Sequence, residues 1–308
     1  MDGDIDYSTF ERPQLEEALT NIDRDRYPNN YQNLVRELSI RPAPANPPPS
    51  SNAGLSESKA GKDGMDMKSG NPALSAKTFD GLAASDNPMT LSGTINKAAM
   101  LLALVFAGAG WVWNIYFASH RVEDIVPYLL WGSLGGLLLA FATIFNKQAA
   151  PYTAPLYAVV EGLAIGGLSA LYEARQPGIA IQAVGLTFGI LVVMLAAYRL
   201  ELIKVTEHFK AGLVGATGGI AILYLVDLVL VYFGHPVAMI HDGGVWGIAF
   251  SLFVIAIAAL NLVMDFDFIE KGVEQRSPKY MEWYSAFGLV VTLVWLYLEI
   301  LRLLGKRR

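Results

Sequence analysis

Residues 245–268 read VWGIAFSLFVIAIAALNLVMDFDF. The first ionisable side chain in this stretch is Asp265. The apolar run before it is about twenty residues long, enough to cross about 30 Å of hydrocarbon as an α-helix. It does not alternate with period two, so it does not read as a strand of a membrane barrel. It also lacks a polar face, which a helix of a water-soluble domain would need.

Six more segments share this character, near 96–118, 125–145, 154–173, 178–198, 211–233 and 284–304. The loops between them are short. The predicted fold is all-α: a polytopic membrane bundle of seven transmembrane helices, preceded by a soluble helical hairpin and a disordered tether. The division along the chain is residues 1–42 for the hairpin, 43–92 for a flexible linker with a short amphipathic piece, and 93–308 for the bundle. The composition, 53% hydrophobic and 17% charged, averages these unlike parts.

In the hairpin, Leu15, Leu19 and Ile22 fall on one helix face. A second helix begins near Pro28, with Tyr31, Leu34, Val35 and Leu38 as its apolar stripe. About forty residues bury little core alone. Two readings stay open, a marginal tethered hairpin and a docking module for another protein or for the cytosolic face. The linker RPAPANPPPSSNAG cannot offset the entropy of ordering. NPALSAKTFDGL reads as the amphipathic piece, and Ser92 or Thr94 is available to cap the first membrane helix.

Several function classes are excluded. The chain has no cysteine, so it has no disulfide, thiolate metal site or Cys nucleophile. With a net charge of −5 and no basic stripe, nucleic-acid binding has no support. The acidic start MDGDIDYSTF does not read as a cleaved secretory signal. The four histidines, His120, His208, His235 and His241, fall in loops without a metal-ligand cluster. There is no Walker or GxSxG motif and no converging Ser, His and Asp set, so the chain does not read as an enzyme.

Three small-xxx-small pairs, Gly132/Gly136, Gly162/Gly166 and Gly215/Gly219, predict close helix packing in lipid. Lys and Arg set the orientation. Lys77 and Lys97 precede or open the first segment. Arg199, Lys204 and Lys210 follow the fourth, and Lys271, Arg276 and Lys279 follow the sixth. This places the N-terminus in the cytoplasm. The tail, with Arg302, Lys306, Arg307 and Arg308, then lies outside, either as an exception to the rule or because one segment is re-entrant.

Charges at membrane depth are costly and mark function. The embedded candidates are Glu161, Asp227, Asp265 and Glu299, with Asp267 and Glu282 nearer an interface. Asp265 and Asp267 are about 200° apart on a helix and do not share a face. Asp265 stacks over Asn261, one turn earlier, as a polar stripe. Glu161 and Asp265 fall at similar depth toward the cytoplasmic end. Two close buried carboxylates can share a proton, or open on deprotonation and admit a cation. Hard oxygens suit calcium. Blander readings stand beside these. Asp265 could anchor its helix end, Glu161 could bond a neighbouring helix, and Glu299 with Arg302 forms an i, i+3 ion pair rather than a pore mouth.

The landmarks NPALSAKTF, MTLSGTINK, APLYAVVEGLAIGGLSALYE, PGIAIQAVGLTFG and NLVMDFDFIEKGVEQRSPKYMEWYSAFGLVVTLVWLYLEILRLL carry a resemblance. Over about residues 70–305 the chain resembles the Bax-inhibitor (TMBIM, YccA-like) family of bacterial membrane proteins. The resemblance implies seven helices with the last one central. It also implies a pH-sensitive calcium leak gated by aspartates on the last two helices. Asp265 matches the aspartate of the sixth. The place of its partner falls near Thr292, and no Asp occurs between Tyr284 and Leu304, so the two-aspartate gate does not carry over intact. Glu161, Glu282 or Glu299 could supply the second carboxylate.

The expected function is a pH-responsive passive calcium (or cation) leak in the bacterial cytoplasmic (inner) membrane. Asp265 is its gate and calcium ligand, with Asn261, Asp267, Glu161 and Thr292 as companions and Glu282, Glu299 and Asp227 as secondary candidates. No cofactor is expected beyond the transported ion. The expected partners are the lipid bilayer and calcium. The alternative is a non-transporting regulator that binds other membrane proteins, or a membrane protease, through the bundle or the hairpin.

Overall fold

A computed structural model describes residues 28–40, 86–235 and 237–306, together with Leu15 and Leu19. The chain divides into two compact units, Met1–Lys62 and Asp63–Arg308. Most of the linker, with its amphipathic piece, lies outside the described residues, as does most of the first hairpin helix.

In the first unit, α1 spans Pro28–Ile40 and opens on its proline, whose missing N–H is not needed there. Leu34 is buried against Leu15, with Leu19 and Leu38 packed around them. Val35, read as part of the stripe, is 43% exposed. It sits about 100° around the helix from Leu34, and a partner covers only one face of α1.

The second unit contains α2 (Leu91–Ser119), α3 (Val126–Phe145), α4 (Ala150–Arg175), α5 (Ile179–Arg199), α6 (Glu207–Tyr232), α7 (Val245–Glu274) and α8 (Met281–Lys306). Seven helical spans are long and apolar enough to cross a membrane. Large apolar side chains point outward, among them Leu130, Trp131 and Leu138 on α3. Water would penalise that surface and lipid would not. The chain is a multi-pass membrane protein. None of the seven is short, so a re-entrant segment finds no candidate among the described residues.

Each predicted segment lies within one of these helices or within a residue or two of its ends. The largest extension is in α7. Its apolar run was read to 268, yet the helix continues two turns to Glu274. Those turns carry Glu270 and Lys271, and Lys271 Nζ donates to Asp267 Oδ2, one turn earlier, at 2.8 Å. The helix cap also differs from expectation. Thr90, not Ser92 or Thr94, caps α2. Its backbone is extended and its Oγ1 accepts from Gly93 N–H at 3.0 Å. Thr94 lies inside the first turn and donates to the Thr90 carbonyl.

α8 is central. It packs against α2, α4, α5 and α7. Within its most apolar window 56% of residues are buried, against 11% for α6. Two of the small-residue pairs work as expected. The Gly162 and Gly166 backbone meets that of Val105 and Ala109 on α2, and a Cβ at either position would collide with it. Gly132 lies against Ala164, and Gly136 makes room for the Glu161 carboxylate. The third pair does not. A Cβ at Gly215 or Gly219 would meet nothing within 4 Å. α6 packs chiefly on α7, and these glycines face outward.

Candidate functional site

With seven crossings, the starts of α2, α4, α6 and α8 share one membrane face with the ends of α3, α5 and α7. Asp265 lies about 14 Å inside that face, counted from the end of α7 at 1.5 Å per residue. It is fully buried, and Asn261, one turn deeper, is buried beside it. The polar stripe read from spacing is therefore real and points into the bundle. Asn261 Nδ2 donates to Thr217 Oγ1 of α6 and to the Ile257 carbonyl, both at 2.9 Å. Asn261 Oδ1 is buried and accepts no hydrogen bond among the described residues. A buried acceptor left open is costly. It supplies a hard oxygen on the same stripe as the Asp265 carboxylate.

Glu161 is at comparable depth, about 17 Å from the start of α4. Its surroundings differ. It is half-buried, and its carboxylate lies over Gly136 of α3. α7 packs against α5, α6 and α8, and more lightly against α2. Depth matches, but the two carboxylates belong to different packing surfaces. Thr292 is buried on α8, with its Oγ1 donating to the Gly288 carbonyl at 3.3 Å.

The remaining candidates form two polar clamps at opposite membrane faces. At the face nearer Asp265, the fully buried Glu282 carboxylate joins the starts of α2 and α8. It accepts from Thr90 N–H at 2.8 Å and Thr90 Oγ1 at 2.9 Å, and pairs with Lys279 at 2.7 Å and with Lys97. Gly93 has no side chain because that carboxylate fills the space. Nearby, Asp267 takes Lys271 at 2.8 Å and faces the buried Lys210 at 3.9 Å, which pairs with Glu207 at 2.6 Å. Tyr198 donates to Glu270.

At the other face, Arg302 holds Glu299 through bonds of 2.8 and 3.0 Å, and Tyr224 of α6 bridges them at 2.8 Å to each. Glu299 and Arg302 thus form an ion pair within one helix turn. Asp227 accepts from Val237 N–H at 2.9 Å and meets His241 Nε2 at 2.8 Å. Sequence reasoning left His241 unassigned. Its only signal was an acidic residue one loop earlier. Lys306 donates to the Gly247 carbonyl and to Ser251 Oγ. Among the described residues, no group of three or more His, Cys, Asp or Glu side chains is placed to hold a metal ion.

A model of the family described as Bax inhibitor 1 like matches residues 48–308. The chain belongs to the Bax inhibitor 1 like family. Searches of curated proteins and of solved structures return no match. The family match takes in the whole membrane bundle and leaves α1 outside. Within this Bax inhibitor 1 like bundle, α7 carries the deepest fully buried carboxylate, and α8 has a threonine where the resemblance led one to look for a second aspartate.

Proposed function

We propose that the chain is a passive, pH-responsive leak for calcium or a similar cation, gated by Asp265 on the sixth membrane helix. One observation carries this reading: a fully buried carboxylate shares a stripe with the open carbonyl oxygen of Asn261 at membrane depth. A protonated Asp265 is neutral and compatible with tight packing. Loss of the proton puts a charge there, and that charge favours an arrangement admitting water or a cation. Hard oxygens fit calcium, which passes as cargo and not as a resident metal. Thr292 on α8 replaces the second carboxylate, so one proton rather than a shared pair sets the gate.

The proposed location is the bacterial cytoplasmic membrane, with the start of α2 inside. Lys97, Lys210, Lys271 and Lys279 gather at that face, as the positive-inside rule requires. Within the tail, Glu299 offsets Arg302 and Lys306 is bound to α7, which supports this orientation. Purified chain in vesicles with a calcium-sensitive dye tests the proposal. Flux in the wild type and its loss in Asp265→Asn are expected. Equal flux from both proteins would remove the gate assignment.

A second reading, a regulator docking through the N-terminal unit, is favoured by the exposure of Val35 and Ile40 on α1. Pull-down with the full chain and with a Val35→Glu, Ile40→Glu variant checks it. A partner lost in the variant supports it, and identical captures count against it.

A further inference from the structure

Between α2, α4, α5 and α8 lies an open-sided cavity of about 360 Å³. Phe106, Trp113, Ile181, Phe188, Val294 and Tyr297 are among the lining side chains. The surface is almost wholly apolar. Its hydroxyls are already engaged: Ser169 and Tyr297 bond each other at 2.7 Å, and Thr187 donates to the Ala183 carbonyl at 2.8 Å. On its lining, the exposed rings of Phe106 on α2 and Phe188 on α5 stack with centroids 6.4 Å apart. Every lining residue belongs to a membrane span.

We infer that this groove is a binding site for one acyl chain of a membrane phospholipid. Size is one argument, since ligand pockets run from roughly 300 Å³ upward. Position is another. The opening is continuous with apolar surface that meets hydrocarbon, including Ile181 at 71% exposure, so a chain enters sideways without crossing water. Satisfied hydroxyls ask nothing of the occupant, which suits hydrocarbon. Gly110 lines the groove, and a Cβ there would meet nothing within 4 Å. The groove runs from mid-depth toward the end of α4. Arg175 stands about 9 Å beyond Ser169 along that helix and about 240° around it, at the headgroup level and not in the groove wall, and it is exposed. Its charge complements a lipid phosphate. The groove wall includes Leu293 and Val294, next to Thr292 on α8. A bound chain therefore bears directly on the central helix, whether or not α7 passes an ion.

Photolabelling of the full purified chain tests this site. The probe is a phospholipid with a diazirine in its acyl chain, compared with a diazirine fatty acid. Phospholipid label is expected on 102–113 and 180–188, above the level on the outward face of α6. In Gly110→Leu the groove label falls by roughly tenfold, a loss of about 1.4 kcal/mol in binding, while label on α6 stays unchanged. Leucine is a better helix former than glycine, and an unchanged melting temperature separates lost binding from misfolding. Label spread evenly over all exposed helices, or unchanged by Gly110→Leu, overturns the proposal. Groove labelling by the fatty acid alone overturns the phospholipid assignment.

Discussion

Gly162 and Gly166 on α4 and Gly215 and Gly219 on α6 have the same spacing and opposite fates. The first pair presses its backbone onto α2, and the second faces open space. Around α4, α7 and α8 half or more of each apolar window is buried, while α6 is bound mainly along one edge. The difference teaches that a small-xxx-small motif permits close approach without causing it. What makes α6 hold is polar: Tyr224 to Glu299 and Arg302, Thr217 to Asn261, and Lys210 toward Asp267. The tightly packed half supplies rigidity. The loosely packed helix contacts the proposed gate stripe through Thr217.

Substitutions can break that comparison. Gly166→Leu should have the largest effect, because its Cβ would meet the Ala109 backbone and the two helices must separate. A loss of about 3 kcal/mol or more is expected in thermal unfolding in detergent. Glu282→Gln should cost about 2–3 kcal/mol, since it removes a buried carboxylate from two lysines and Thr90. Tyr224→Phe removes only the hydroxyl between Glu299 and Arg302. It should cost about 1 kcal/mol and leave the ion pair intact. Gly215→Ala should be smallest. It adds a methyl group into free space and stabilises the folded chain by up to about 1 kcal/mol through helix propensity. A large loss there would mean that α6 is covered by something else.

The fold was legible because apolar runs of spanning length leave few alternatives. Helix ends were less so. α7 passed through Asp267, Glu270 and Lys271 because those charges pair with one another and with neighbouring helices, which hydropathy does not register. Thr90 and Thr94 differ as caps only in backbone conformation. At the site, periodicity placed Asn261 and Asp265 on one stripe. It matched Glu161 to Asp265 in depth but could not show that α4 turns this carboxylate toward α3. Partnerships such as Ser169 with Tyr297, or Asp227 with His241, join separate elements and leave no local pattern. Glu299 with Arg302 was readable because one helix turn contains it.

Calcium flux across pH 6 to 8, measured side by side in vesicles for wild type, Asp265→Asn and Glu161→Gln, tests the central claim most directly. Wild-type flux should rise with pH, as the proposed gate requires. Asp265→Asn should be low and flat, and Glu161→Gln should keep the wild-type profile. A pH response that survives in Asp265→Asn and vanishes in Glu161→Gln would place the gate on α4 and contradict this account.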